Sequence, residues 1–238
     1  MKVAGAWADL HIHTIVSDGM ASPEDVVKYA AKTGLQVIAV TDHNTFLGSV
    51  IATRKVRELG RVLVVYGAEV RTYWGDILFL CPHPVRVTPD PLELRDVGDE
   101  NNCVLIPAHP FDVVRKGIGS KVLLQGIWDG AECFNGGSDP LTNIMTYMIL
   151  NRARLTCFAN SDAHVLSMVG TARNFLDLTA LTIDDVLECL RKGCVKPRPG
   201  YSVVGIRDRF VWGLKRKVNG IKGWPGASLT RKFDVEWR

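Results

Sequence analysis

The chain has 238 residues, 47% hydrophobic and 23% charged, with a formal net charge of +4. That balance suits a folded protein of one large α/β domain or two small ones. No apolar run approaches the ~20 residues that cross a bilayer, and Asp9 and two histidines break up the N-terminal stretch where a signal peptide would lie, so a cytoplasmic protein without a membrane partner is expected.

Apolar runs alternate with helical patterns from the start. Residues 7–12 read as a strand. Ser22-Pro23-Glu24-Asp25 then predicts a helix, with Ser22 as N-cap, Pro23 at the first helical position and Asp25 three residues past the cap. Val26, Val27, Ala30 and Ala31 form its inward stripe, and Gly34 stops it. A β-branched strand over 36–40, a helix over 46–59 stopped by Gly60 and a strand over 62–66 follow. Residues 76–80 read as a strand close enough to Glu69 to form a hairpin. Later strands are expected over 104–106, 130–134 and 155–159, and helices after Ser138-Asp139-Pro140 and Thr182-Ile183-Asp184-Asp185. Such alternation implies a parallel sheet of barrel length. No linker or repeat divides the chain. One domain is expected over 1–206, with a helix over 207–218 opening a C-terminal segment, 207–238.

That segment holds nine Lys/Arg against three Asp/Glu, a surplus of +6 that leaves −2 for the rest. A basic tail attracts phosphate-rich partners; a solvated surface helix and tail is the plainer reading. The six cysteines lack Cys-x-x-Cys spacing and mostly sit in apolar runs, so they are expected as reduced, buried thiols rather than disulfides or zinc ligands.

Five of the six histidines lie in short cassettes with carboxylates. His11 and His13 are two apart, so in a strand their imidazoles leave the same face. Asp18, Asp42-His43, Glu69, His109 and Asp162-Ala163-His164 follow, each near the carboxyl end of an expected strand. In a parallel α/β barrel those ends converge on one rim, where sites are built. Mixed imidazole and carboxylate donors suit Mn, Zn or Fe, whereas an all-oxygen set suits Mg or Ca. Asp9 and Asp42 flank ligating histidines, either to orient their ring N–H groups or to cap the loops that follow. Glu132 and Asn135 occupy another strand end, for substrate contacts, support of the ligands or turn formation. Arg115 is a candidate to grip phosphate with paired hydrogen bonds, and Arg173 a weaker one.

In these motifs, Asp9-Leu10-His11-Ile12-His13 with Ser17-Asp18-Gly19, Thr41-Asp42-His43-Asn44, Gly67-Ala68-Glu69, Ala108-His109-Pro110 and Ser161-Asp162-Ala163-His164, the chain resembles the PHP family, the polymerase and histidinol phosphatase superfamily of metal-dependent phosphoesterases. The resemblance runs from Asp9 to about Cys194. It implies a distorted TIM-like (β/α)7 barrel and two or three divalent ions held by His11, His13, Asp18, His43, Glu69, His109, Asp162 and His164, with Glu69 bridging. A metal-bridged hydroxide would then hydrolyse a phosphate ester in a small metabolite or nucleotide. Related short members often carry His about seven residues after the bridging Glu, where this chain has Asp76. Asp ligates through oxygen and favours Mn or Mg over Zn at that position. His83 is no substitute, since seven strand residues carry it roughly 23 Å from Asp76 at ~3.3 Å each.

Three rivals remain at this level. PHP-like domains also act as exonucleases on nucleic-acid ends, but no aromatic-basic interleaving marks a stacking surface here. An amidohydrolase also opens with His-x-His, yet wants a bridging lysine where this chain has Glu69. The third is a non-catalytic metal-bound scaffold for RNA or protein. The sequence sets no oligomeric state.

Overall fold

The computed structural model describes residues 5–60, 62–205, 207–208 and 211. Among these residues run nine strands and five α-helices with both ends described: β1 Ala6–Ile12, α1 Pro23–Lys32, β2 Val37–Val40, α2 Leu47–Leu59, β3 Leu63–Arg71, β4 Asp76–Cys81, α3 Pro91–Glu100, β5 Val104–Pro107, β6 Ala131–Asn135, α4 Pro140–Arg152, β7 Cys157–Asn160, β8 Arg173–Leu176, α5 Ile183–Lys192 and β9 Val195–Arg198. The chain forms the expected α/β, distorted TIM-like barrel. Apart from Arg207, Asp208 and Val211, the expected C-terminal helix and basic tail lie outside the described residues.

Local chemistry explains the helix ends. Ser22 accepts a hydrogen bond from the Asp25 N–H, and Asp90 and Asp139 each cap two N–H groups ahead of a proline. α2 and α5 stop at Gly60 and Gly193, at φ 64° and 71°, a left-handed turn that glycine takes without strain. α3, with its Asp90-Pro91 start, is an element beyond those expected, as are β8 and β9.

Seven strands form one curled sheet in the order β5-β4-β3-β2-β1-β8-β9, and β6 pairs with β7 in a second. The expectation of a parallel sheet holds for β1-β2-β3 and for β6-β7, β4 pairs antiparallel in the hairpin expected near Glu69, and the parallel expectation fails at β8 and β9, which pair antiparallel with their neighbours. The physical reason at β4 is the short hairpin from β3, since a turn of this length cannot carry a parallel crossover.

Side chains stitch the two sheets together where strand ladders end. Between β7 and β8, the Asn174 amide accepts from the Ala159 N–H and donates to the Ala159 C=O, both at 2.9 Å, as a strand backbone would. Between β5 and β6, Asp129 donates its N–H to Leu105 C=O at 3.0 Å, and its carboxylate accepts the Leu105 N–H at 2.8 Å. The central strands β2 and β5 are apolar and buried on both faces. Val37, Ala39 and Leu10 pack inward with Val186, Leu187 and Leu190 of α5, while Ile38, Val40 and Val64 meet α1 and α2.

Four cysteines correct the reading of reduced thiols. Cys81 and Cys103 are disulfide-bonded with their Cα atoms 4.2 Å apart, and Cys133 and Cys157 with theirs 5.3 Å apart. Sequence separations of 22 and 24 hide what strand pairing creates. Leu80 pairs with Val104, so the next residue on one side meets the preceding residue on the other. Cys189 and Cys194 are free. Thiol titration of the unfolded, unreduced protein is therefore expected to find two thiols, rising to six after reduction, and reduction is expected to lower stability by about 2–4 kcal/mol per bond. Six thiols before reduction would contradict the pairing.

Candidate metal centre

The rim formed by the ends of β1, β2, β3 and β5 and by the loops after β1 and β7 gathers the candidate ligands. Glu69 lies within β3 and not after it, because the strand runs on to Arg71 in its hairpin with β4. That hairpin also brings Asp76, at the start of antiparallel β4, to the same rim. His11 ends β1, and the His13 N–H bonds Ala163 C=O at 2.9 Å, tying the loops after β1 and β7 together. His43 bridges to Glu69 beyond the β2 ladder. His109 and Asp162 take φ values of 32° and 48°, a left-handed backbone uncommon outside glycine.

Glu69 sits at the centre, 1% exposed. Its Oε1 lies 3.0 Å from His109 Nε2 and 3.5 Å from His11 Nε2; its Oε2 lies 3.0 Å from His43 Nδ1 and 3.2 Å from His13 Nε2. Asp162 Oδ1 faces His11, His13 and His164 at 3.4–3.6 Å. Asp18 Oδ2 faces His164 at 3.2 Å and His43 at 3.6 Å. Two donors that share an ion through bonds of about 2.1 Å at a tetrahedral angle stand about 3.4 Å apart, which is the spacing found throughout. Buried His109 Nδ1 and Asp18 Oδ1 have no hydrogen-bond partner among the described residues, and His43 Nδ1 is near Glu69 without alignment for one. Five overlapping groups of three donors lie close enough to hold an ion, one being Glu69, Asp76 and His109. The donor set fits divalent metal.

Electrostatics point the same way. Burial opposes charge on Glu69, but His11, His109 and His13 outweigh it and hold the carboxyl well below the usual range. Burial lowers the His11 pKa, yet Glu132 and Glu69 push it up to about 10. His43 reaches about 10 against burial through Asp18 and Glu69. Desolvation wins at His13, which is lowered. A cluster built this way takes up protons where it lacks metal.

The supporting residues divide. Asp42 accepts from Thr14 N–H and Oγ1 and from Ser17 Oγ, so it caps the loop after β1; it reaches an imidazole only through Ser17 Oγ, 3.3 Å from His13 Nδ1. Asp9 accepts from Ser161 N–H and Oγ and from Gly170 N–H, and burial pushes it up to about 6 despite those bonds. The carboxylate that orients an imidazole is Glu132, 2.9 Å from His11 Nδ1. Asn135 donates to Glu132 at 2.9 Å and supports it. Arg115 reaches the rim and pairs with Asp162 Oδ2. Arg173 does not; it stacks over Trp7, 4.6 Å from the ring centroid. His83 is exposed beyond the far end of β4.

Asp76 has a partner that sequence reasoning missed. Arg71 grips it with Nε–Oδ1 and Nη2–Oδ2 bonds of 3.0 Å each. The signal was the hairpin register, which sets Arg71 opposite Asp76. Ser17, Ser161 and Asn160 were also missed, being ordinary polar residues until the loops fold together.

The architecture and this donor set define a distorted α/β barrel with a candidate metal centre at its rim. The PHP domain family matches residues 9–170, and the chain belongs to that family. It is 34% identical over 142 residues to an uncharacterized protein of Methanocaldococcus jannaschii, covering 54% of this chain and 81% of that one. A 5'-3' exoribonuclease of Haemophilus influenzae is 39% identical over 66 residues, 28% of this chain and 24% of the enzyme. A two-domain protein of Bacteroides vulgatus containing a predicted PHP-like metal-dependent phosphoesterase superposes with a TM-score of 0.66 at 16% identity, covering 82% of this chain and 65% of that one. None of the described helices is long and apolar enough to cross a membrane.

A base whose pKa is raised on folding stabilises the fold below its unfolded value and loses that contribution as the pH climbs through the folded one. For His11 and His43 that window runs from 6.5 to about 10. The chelator-treated protein is therefore expected to lose thermal stability across pH 6.5–10, while metal-loaded protein keeps it because ligation replaces the protons. A thermal midpoint steady across that window after chelation would contradict this.

Proposed function

We propose that the chain hydrolyses a phosphate ester in a small metabolite or nucleotide, using two or three divalent ions of the Mn, Zn or Fe type. The observation that carries the reading is the Glu69 carboxylate, with His11 and His109 at one oxygen and His13 and His43 at the other. In this reading those residues, with Asp18, Asp162 and His164, would hold the ions, and Glu69 would offer an oxygen to each side of the cluster. Bound divalent ions neutralise phosphoryl charge and make water a nucleophile near neutral pH.

The chain's own groups do the rest. Glu132 holds a proton on His11 Nδ1 and so keeps Nε2 turned to the centre. Arg115 lies beside Asp162, 19% exposed, where its guanidinium meets a phosphoryl group at the rim. Arg71 occupies both Asp76 oxygens, so an ion at Asp76 competes with a guanidinium.

A second reading, hydrolysis at nucleic-acid ends, draws on the similarity to the exoribonuclease and on the basic surplus after Arg207. Steeply salt-dependent affinity for RNA or DNA would favour it. With Mn supplied, a screen of phosphomonoesters against diesters is expected to reveal hydrolysis that disappears on complete metal removal and returns with Mn or Zn. Undiminished turnover in metal-free protein would sink the proposal. Arg115→Met is expected to reduce kcat/KM about 10- to 100-fold, the worth of a charge-assisted hydrogen bond, with bound metal unchanged by elemental analysis; unaltered kinetics would retire Arg115.

A further inference from the structure

We propose that Asn160 is a positioning residue for the metal centre: acting through Glu132, it dictates which nitrogen of His11 carries a proton and which is left to ligate. The inference rests on the metal-centre reading above.

Hydrogen-bond direction along this network is set by a backbone N–H, which cannot reverse. Ala159 N–H donates to the Asn174 side chain at 2.9 Å, which makes that atom the amide oxygen. The other end of Asn174 is therefore the NH2 group, and it donates to Ala159 C=O and to the Asn160 side chain, each at 2.9 Å. A second backbone donor, Leu10 N–H, reaches the same Asn160 atom at 3.2 Å. Two donors converge there, so it is oxygen. The remaining Asn160 group is NH2, and it donates to Glu132 Oε1 at 2.8 Å.

Glu132 then has no choice. Its Oε2 accepts from the His109 N–H and from Asn135, each at 2.9 Å. Both oxygens are filled by donors, and a carboxylate in that setting offers no proton. The last neighbour of Oε1 is His11 Nδ1 at 2.9 Å, which must itself be the donor. With Nδ1 protonated, the lone pair of His11 lies on Nε2, the nitrogen that faces His13, Glu69 and Asp162. Asn160, Asn174, Glu132 and His11 are all 0–1% exposed, so water does not compete for these bonds. Backbone groups of β1, β7 and the loop after β5 thus fix a tautomer at the centre.

A pair of substitutions separates direction from mere support. Asn160→Asp alone puts two carboxylates face to face. Asn160→Asp combined with Glu132→Gln restores the same number of bonds with the central one reversed: the new amide at position 132 donates to position 160, and it also offers an N–H to His11 Nδ1. The imidazole proton is then driven to Nε2, where it blocks ligation. Affinity for Zn and for Mn is measured by chelator competition, with thermal unfolding of each chelated protein alongside. Expected are metal binding about 10- to 100-fold weaker in the double variant, an unfolding midpoint close to that of the chelated parent, and a proton on His11 Nδ1 in nitrogen-15 imidazole spectra of the zinc-loaded parent. Wild-type affinity in the double variant or in Asn160→Asp, or a proton on Nε2 in the zinc-loaded parent, would overturn the proposal. The spectrum decides even where a variant does not fold. A parent chain that binds no metal at all defeats the metal-centre reading instead, so the two failures are distinct.

Discussion

A carboxylate removed from water must be compensated, and at Glu69 the compensation comes from four imidazoles on three different segments. A buried charge that loses its partners costs several kcal/mol, so this one requirement governs how the rim is assembled. β1 must end beside β2, β2 beside β3, and the loop after β5 must fold inward, or the charge is stranded. The β3-β4 hairpin serves the same end. By extending β3 past its neighbours, it carries Glu69 into the ring of histidines and turns Asp76 and Arg71 back toward it. The antiparallel departure from a regular barrel is thus tied to the site.

Most of the donor set was legible because strand ends are. A β-branched run closed by Asp-His or Ser-Asp-Ala-His says where the chain leaves the sheet and which side chains leave with it. The caps of α1, α4 and α5 were equally plain, since an Asp, Ser or Thr accepting from its own next turn is a local affair. The strand expected over 62–66 stops short of Glu69; the hairpin register that extends β3 to Arg71 depends on a partner and not on the residues themselves.

What was not legible is relational. Asp9 and Asp42 read as neighbours of histidines, yet their carboxylates bind backbone groups brought in from Ser161, Gly170 and Thr14. The orienting carboxylate, Glu132, lies 121 residues from the imidazole it holds. Cys81 and Cys103 became partners only through the pairing of β4 with β5. In each case the sequence supplied the right chemical type, and the partner was chosen by closure of the barrel.

Two centre residues, His109 and Asp162, hold left-handed backbone conformations that cost non-glycine residues about 1–3 kcal/mol each. Glycine would relax both positions and remove both donors. The chain is therefore not the most stable sequence for its own fold: selection for a folded barrel alone would drift toward glycine at these turns, and under the proposed metal-centre reading the demand for ligands at the rim opposes that drift. Stability and site pull in opposite directions at the same two residues.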